Sequence, residues 1–244
     1  MRKPIERPRA LRFKTGGVRR VIHRTETAME VIGPLAPGDR VTGLTAGQFS
    51  AIDAMEHMVD ELGPADVRIS TWTTGLYDVQ RAKDIRIEGR INSVRMLLDR
   101  GTFEKSPKFA GPLIEVLGID AFRCLSVHAK VIIVTGARGS AVMRSSMNLN
   151  KNLRTEQFDI DVCDEVAAFY SDWFDALWEE SGRSLDNQAI IKTVYDRFAT
   201  SQEGKEEAGA ARHQKPKPAR NRAGATRLED MSMSQEEFLR MLGD

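Results

Sequence analysis

Ser126-Val127-His128-Ala129-Lys130-Val131-Ile132-Ile133-Val134-Thr135-Gly136-Ala137-Arg138-Gly139-Ser140-Ala141-Val142-Met143-Arg144-Ser145-Ser146-Met147-Asn148 is the stretch whose reading decides the fold. Ala129–Val134 is a β-rich run and reads as a strand. Gly136–Gly139 holds two glycines and reads as a turn, and Ala141–Ser146 returns as a second strand. His128 and Lys130 are two apart, so on a strand their side chains share one face. Ser146 and Asn148 repeat that spacing on the returning strand. Such a hairpin gathers an imidazole, an ammonium, a hydroxyl and an amide around one small anion. A phosphate suits the set, with Lys130 and Asn148 donating to its non-bridging oxygens while His128 approaches phosphorus. Between residues 128 and 156 five bases (Lys130, Arg138, Arg144, Lys151, Arg154) stand against one acid, Glu156.

Working outward, Gln48–Leu62 places Phe49, Ile52, Met55, Val59 and Leu62 at helical spacing, and Gly63-Pro64 stops the helix. His57 on that helix lies beside Glu56 and Asp60 and is expected to be exposed. Val67–Thr73 alternates as a strand, Val94–Leu98 reads as a buried strand, and Asp99-Arg100-Gly101 reads as a turn. Gly111–Leu117 predicts a short helix and Phe122–Leu125 a further strand. Phe158–Val162 is another strand, followed by an amphipathic helix over Asp164–Glu180 that places Trp173 and Trp178 in the core. Val31–Val41, with Gly33-Pro34 and Pro37-Gly38, reads as loop. Helices alternating with strands predict an α/β architecture, a mixed β-sheet flanked by helices in a single domain.

The 244 residues carry 36 Lys+Arg and 35 Asp+Glu, a net charge of +1 that hides strong segregation. Residues 1–24 are +8 and form a basic arm; residues 25–200 are −7 and form the domain. Residues 201–227 are +4 and residues 228–244 are −4. Residues 201–233, with Lys215-Pro216-Lys217-Pro218, cannot bury a core and read as a linker, disordered like the arm. Residues 234–244 read as a short amphipathic helix, started by Ser234 with Glu237, that docks on a protein partner. No apolar run approaches a membrane span, and Met1-Arg2-Lys3-Pro4 opens no signal peptide, so a cytoplasmic protein without membrane association is expected. Cys124 and Cys163 form no CxxC pair, so neither a disulfide nor a zinc site is expected, and no metal or cofactor is called for.

The order His-x-Lys, β-run, glycine turn, Ser-x-Asn resembles the HKD motif of the phospholipase D (PLD) superfamily. It is most similar to the small bacterial and phage nuclease-like members with a single motif. The wider resemblance covers roughly residues 48–180, and a phage or mobile-element origin fits it. Two positions depart from the pattern. Thr135 stands where the family has Asp, and Ser145 stands where it has the Gly before Ser146. The resemblance implies a PLD-like fold and a metal-independent phosphodiesterase, with His128, Lys130, Ser146, Asn148 and Glu156 as its catalytic set. In the family a downstream Glu orients the histidine; Glu156 matches it, and Asp159 is the alternative. The implied mechanism is covalent, through a phosphohistidine, with a second histidine protonating the leaving group. Of the other histidines only His213 has a Lys two residues later, Lys215, and it lies in the linker with no β-run, glycine turn or Ser-x-Asn after it, so the second histidine is expected from another chain, and with it a homodimer. Arg144, Lys151 and Arg154 flank the motif and suit neighbouring phosphates, Asn150 follows the strand as a substrate contact, and Trp72 suits base stacking. The basic arm and motif flank favour nucleic acid over lipid as the partner, DNA ahead of RNA. Two rivals are a PLD-like nucleic-acid-binding or assembly protein without turnover, and a phospholipase.

Overall fold

The computed structural model describes residues 16–19, 27–71, 89–105, 107–149, 154–182 and 185–209. The chain divides into two units, Met1–Gly204 and Lys205–Asp244, and the account below concerns the first. Its strands are β1 (Gly16–Arg19), β2 (Asp39–Thr45), β3 (Ala65–Thr71), β4 (Ile91–Asp99), β5 (Phe122–Leu125), β6 (Val131–Gly136), β7 (Gly139–Ser145) and β8 (Glu156–Val162). They form one mixed sheet in the order β1-β2-β8-β7-β6-β3-β4-β5. The pairs β1/β2, β3/β4 and β4/β5 are parallel, and the four central pairings are antiparallel. The helices are α1 (Ala28–Ile32), α2 (Ala51–Leu62), α3 (Arg100–Lys105), α4 (Pro107–Leu117), α5 (Asp164–Gly182) and α6 (Leu185–Gly209).

Helices cover both faces, which is the α/β layering expected. The period of two in β6 divides the core. Ile132 and Val134 join Met143, Ile160, the apolar face of α2, and Leu113, Ile114, Ile191 and Val194 from α4 and α6. Val131 and Ile133 face the other way and pack with Val142, Leu97 and Val166, Ala167 and Phe174 of α5. Strands buried on both faces in this way read as near-continuous apolar runs, and Val131-Ile132-Ile133-Val134 does. Helix α5 is also held by charge. Arg68 and Arg95, partners on β3 and β4, both reach Asp175, and the Arg95 and Arg123 guanidinium groups lie 5.5 and 4.4 Å from the Trp178 ring centre. Trp173 and Trp178 are half-buried against this second core.

Helix α2 begins with a capping box, Ser50 with Asp53, and ends at Gly63 with φ of 87°. Its last turn has no basic residue of its own, and the hairpin turn supplies one. Arg138 donates from Nε to the Glu61 carbonyl (2.7 Å), from a terminal nitrogen to the Asp60 carbonyl (2.6 Å), and from its backbone N–H to the Leu62 carbonyl (2.9 Å). Three carbonyls left over at a helix end are thereby satisfied, and a cation sits at the negative pole. The approach is close enough to require glycine at position 136, where an added Cβ would lie 2.5 Å from the Leu62 carbonyl oxygen. Gly136→Ala is expected to destabilise the protein by about 2 kcal/mol because backbone, not a flexible side chain, would have to give way. Thermal melting checks this, as a fall of roughly 4–8 °C.

Several expectations are corrected. The stretch Val31–Val41 is not all loop, since α1 ends at Ile32 and β2 starts at Asp39. The turn expected at Asp99-Arg100-Gly101 is the start of α3. His57 is 6% exposed, because its Nε2 lies 2.7 Å from the Gly33 carbonyl and ties α2 to the chain leaving α1. Glu56 and Asp60 pair instead with Arg90, at the start of β4. Helix α6 was not anticipated, and it crosses the composition change at Thr200. Its buried Asn187 brackets edge strand β5, accepting from the Cys124 N–H (3.1 Å) and donating to the Cys124 carbonyl (2.5 Å). Both cysteines are free thiols, and burial pushes the Cys124 thiol up to about 12.

Candidate active site

The sheet pairings put seven strand ends on one edge. Ser70 pairs with Val131, Val131 with Arg144, Ser145 with Phe158, and Thr45 with Glu156. The C-terminal ends of β2, β3 and β7 therefore meet the N-terminal ends of β6 and β8. The parallel strands β4 and β5 end on the same side. This is the edge at which open α/β sheets commonly bind ligands, outside the carboxyl ends of their parallel strands.

His128 and Lys130 reach this edge by a route that spacing alone did not reveal. Strand β6 begins at Val131, so neither residue is on a strand, and the shared-face argument does not apply. β5 and β6 are separated in the sheet by β4 and β3. Ser126–Lys130 therefore crosses three strand spacings, about 14 Å, over the crest of the sheet. Buried Val127 anchors the crossing, while His128 is exposed and Lys130 half-buried. The Lys130 ammonium donates to the His128 carbonyl at 3.4 Å. The second arm is corrected likewise: β7 ends at Ser145, and Ser146 and Asn148 lie beyond it.

The Ser146 hydroxyl is committed on both sides. It donates to Oε2 of Glu156 and accepts from the Gln157 N–H at 2.9 Å. Its single proton is thus spent on the carboxylate rather than on an incoming anion. Glu156 opens β8, half-buried, and Ser146 fixes its orientation. Asp159, the alternative to Glu156, accepts instead from the Thr42 hydroxyl at 2.7 Å. Asn148 has its side-chain oxygen buried without a hydrogen-bond partner. For a phosphodiesterase built on this site, Ser146→Ala is expected to lower turnover about tenfold at unchanged KM, equal to the loss of one charged hydrogen bond. Steady-state kinetics on the pure variant checks that split.

The two departures from the HKD pattern lie at opposite ends of the β6/β7 hairpin, Ser145 beside Lys130 and Thr135 remote from it. The Ser145 hydroxyl donates to the Gln157 carbonyl (2.7 Å) and accepts from the Met147 N–H (2.8 Å), so it is bound to backbone. Thr135 is exposed near the far end of β6, five residues from Lys130 and so about 16 Å along the strand. Behind Lys130, Ser145 and Leu149 the packing leaves a void of about 10 Å³. That is room for a water at most, so an anion would be received on the open side.

The expected substrate contacts divide. Arg144 sits on β7 but does not point to open solvent at the edge. Its guanidinium pairs with Asp161, which is 0% exposed, and lies 6.0 Å from the Tyr170 ring centre. Arg40 of β2 takes the other Asp161 oxygen at 2.5 Å. The hydrogen bond that Arg40 donates to Asp161 raises its guanidinium above its ordinary value. Sequence reasoning missed this triad because its members come from three strands 17 to 121 residues apart. Arg154 is exposed just ahead of β8. Trp72, Asn150 and Lys151 lie outside the described residues, as do residues 1–15 of the basic arm and the helix expected over residues 234–244. No described helix is long and apolar enough to cross a membrane. Among the described residues no three His, Cys, Asp or Glu side chains converge as a metal-holding group.

Fold and site together define an α/β protein whose mixed sheet, flanked by helices, carries basic and carboxamide side chains on crossing loops at one edge. Among solved structures it is similar to Nuc from Salmonella typhimurium, a phospholipase D family member, at 14% identity and a TM-score of 0.43, over 58% of this chain and 92% of that one. It is also similar to TrmBL2, an archaeal chromatin protein with a novel mode of DNA binding, at 15% identity and a TM-score of 0.39, over 57% of this chain and 53% of that one. No protein-family model matches the sequence, and no curated protein does.

Proposed function

We propose that the protein is a PLD-like phosphodiesterase that hydrolyses nucleic-acid phosphodiester bonds without a metal. The observation that carries the reading is the convergence of the His128–Lys130 crossing and the Ser146–Asn148 arm on one sheet edge, with Glu156 tied to Ser146 beside them. In this reading an imidazole nitrogen of His128 attacks phosphorus, and the P–O bond to the leaving alcohol breaks. The leaving oxygen takes a proton from His128 of the partner subunit. That histidine then removes a proton from water, which attacks the phosphohistidine, breaks the P–N bond and regenerates the nucleophile. Lys130 and Asn148 offset the charge gathering on the equatorial oxygens. Glu156 supports the imidazolium, and the homodimer supplies the second histidine.

Thr135 is remote from Lys130 and the Ser145 hydroxyl is turned to backbone, which favours turnover over the binding-only alternative. The test is cleavage of plasmid, single-stranded DNA and RNA by purified protein in excess EDTA, with the oligomeric state measured by sedimentation. Cleavage by a dimer is the expected result. A strictly monomeric active protein would remove the two-histidine mechanism. Gel shifts without cleavage would leave a nucleic-acid-binding protein, and release of headgroup from phospholipid vesicles alone would leave a phospholipase.

A further inference from the structure

We propose that Ser70 and Thr71, the last two residues of β3, are positioning residues that hold the two arms of the site at their working separation. The proposal rests on the phosphodiesterase reading. The ladder between β3 and β6 closes at the pair Ser70 and Val131, so the peptides just before Val131 receive no main-chain rung from β3. The Ser70 side chain takes over there. Its hydroxyl donates to the Ala129 carbonyl at 2.8 Å, on the residue between His128 and Lys130. Fixing that carbonyl fixes the peptide plane leading into Lys130 and the end of the one leaving His128. Thr71 holds the other arm: its hydroxyl oxygen lies 3.4 Å from the N–H of Leu149, the residue after Asn148. Successive strand residues face opposite ways, so one strand end grips an arm on either side.

The burial of these groups argues the same way. Ser70 is 1% exposed and Thr71 2%; Thr71 shares its face of β3 with Val67 and Ile69, and Ser70 shares the other with Arg68. A hydroxyl in such a place is unfavourable unless bonded, and an apolar residue would pack there without that need. Both hydroxyls stand at the end of the strand that meets the site. The peptides they hold carry the imidazole, ammonium and carboxamide of the proposed chemistry, for which a displacement near 1 Å can cost about 10²-fold in rate.

The experiment uses the full chain and bis(p-nitrophenyl) phosphate in excess EDTA. It compares the parent with Ser70→Ala, Ser70→Thr, Thr71→Val and Thr71→Ser. Turnover, KM, the pH–rate profile, thermal melting and calorimetric affinity for inorganic phosphate are read for each. Ser70→Ala is expected to lower kcat by about 10- to 100-fold with KM within about twofold, to move the limb of the pH profile set by histidine, and to be rescued by Ser70→Thr. Thr71→Val is expected to act in the same direction and Thr71→Ser to restore it. Parental kcat and pH profile in Ser70→Ala would overturn the proposal, and so would a loss of kcat matched by the fraction of unfolded protein. Where the parent binds phosphate without turnover, the phosphodiesterase reading fails alone. The positioning claim then stands on a tenfold weaker phosphate affinity in Ser70→Ala and falls if affinity is unchanged. A parent that neither cleaves nor binds phosphate overturns both.

Discussion

His128→Ala is expected to lower phosphodiester cleavage by about 10⁴-fold or more, the scale on which removal of a covalent nucleophile is felt. His128 is exposed on the crossing between β5 and β6, so its loss opens no cavity and the melting temperature should barely move. Separating chemistry from folding is therefore simple at this position. A mixing experiment goes further. The proposed reaction uses one histidine from each of two chains, one to form the covalent bond and one to handle protons. Parent chain co-refolded with a ninefold excess of His128→Ala chain should then retain about one-tenth of its activity per parent chain, since only parent–parent dimers work. Undiminished activity per parent chain would mean that each site is complete within one subunit, and the two-chain mechanism would be abandoned.

Asp161→Asn is expected to be the most damaging single change to stability. The carboxylate is fully buried on β8 and is the shared partner of Arg40 and Arg144. Removing its charge leaves two guanidinium groups facing each other across a neutral carboxamide. Breaking a buried pair from one side costs about 3–5 kcal/mol, and the one-third exposure of each arginine moves the expectation to about 3 kcal/mol. Thermal melting should fall by roughly 6–12 °C. Replacing all three residues together, Arg40→Met, Asp161→Leu and Arg144→Met, should recover most of that loss, because a dry apolar contact then takes the place of the ion cluster. A single Asp161→Asn change that leaves melting untouched would show that water reaches the pair. The same result would return Arg144 to the substrate contacts expected of it.

What the sequence displayed and what it concealed follow from how far apart the interacting groups lie along the chain. The strand over Val131–Val134, the turn Gly136–Gly139 and the helix ending at Gly63 are encoded by neighbours within a few residues, so period and punctuation revealed them. His128 and Lys130 were found by residue type at a fixed spacing, but their geometry was misread. The β-rich run extends past the strand's first rung, and only the sheet order shows that the preceding residues must cross β4 and β3. His57 looked solvated beside two acids, yet the carbonyl that buries it is 24 residues upstream and the arginine that claims those acids is at position 90. Helix α6 hid behind a polar composition, with Ile191, Val194 and Phe198 as the thin apolar stripe that could have marked it. The committed hydroxyls of Ser145 and Ser146 were invisible for the same reason, since both partners lie on a strand ten or more residues away.

The carboxamide of Asn187 against Cys124 has a consequence for how copies of this chain can meet. β5 is the terminal strand of the sheet, and a bare terminal strand is a template on which another chain can zip itself. Here the outward donor and acceptor of its central rung are already taken by a side chain of the same chain. A visiting strand would have to evict a buried amide before gaining its first two hydrogen bonds. Sheet-to-sheet polymerisation through this border is therefore blocked from within, and a backbone seam along β5 is disfavoured.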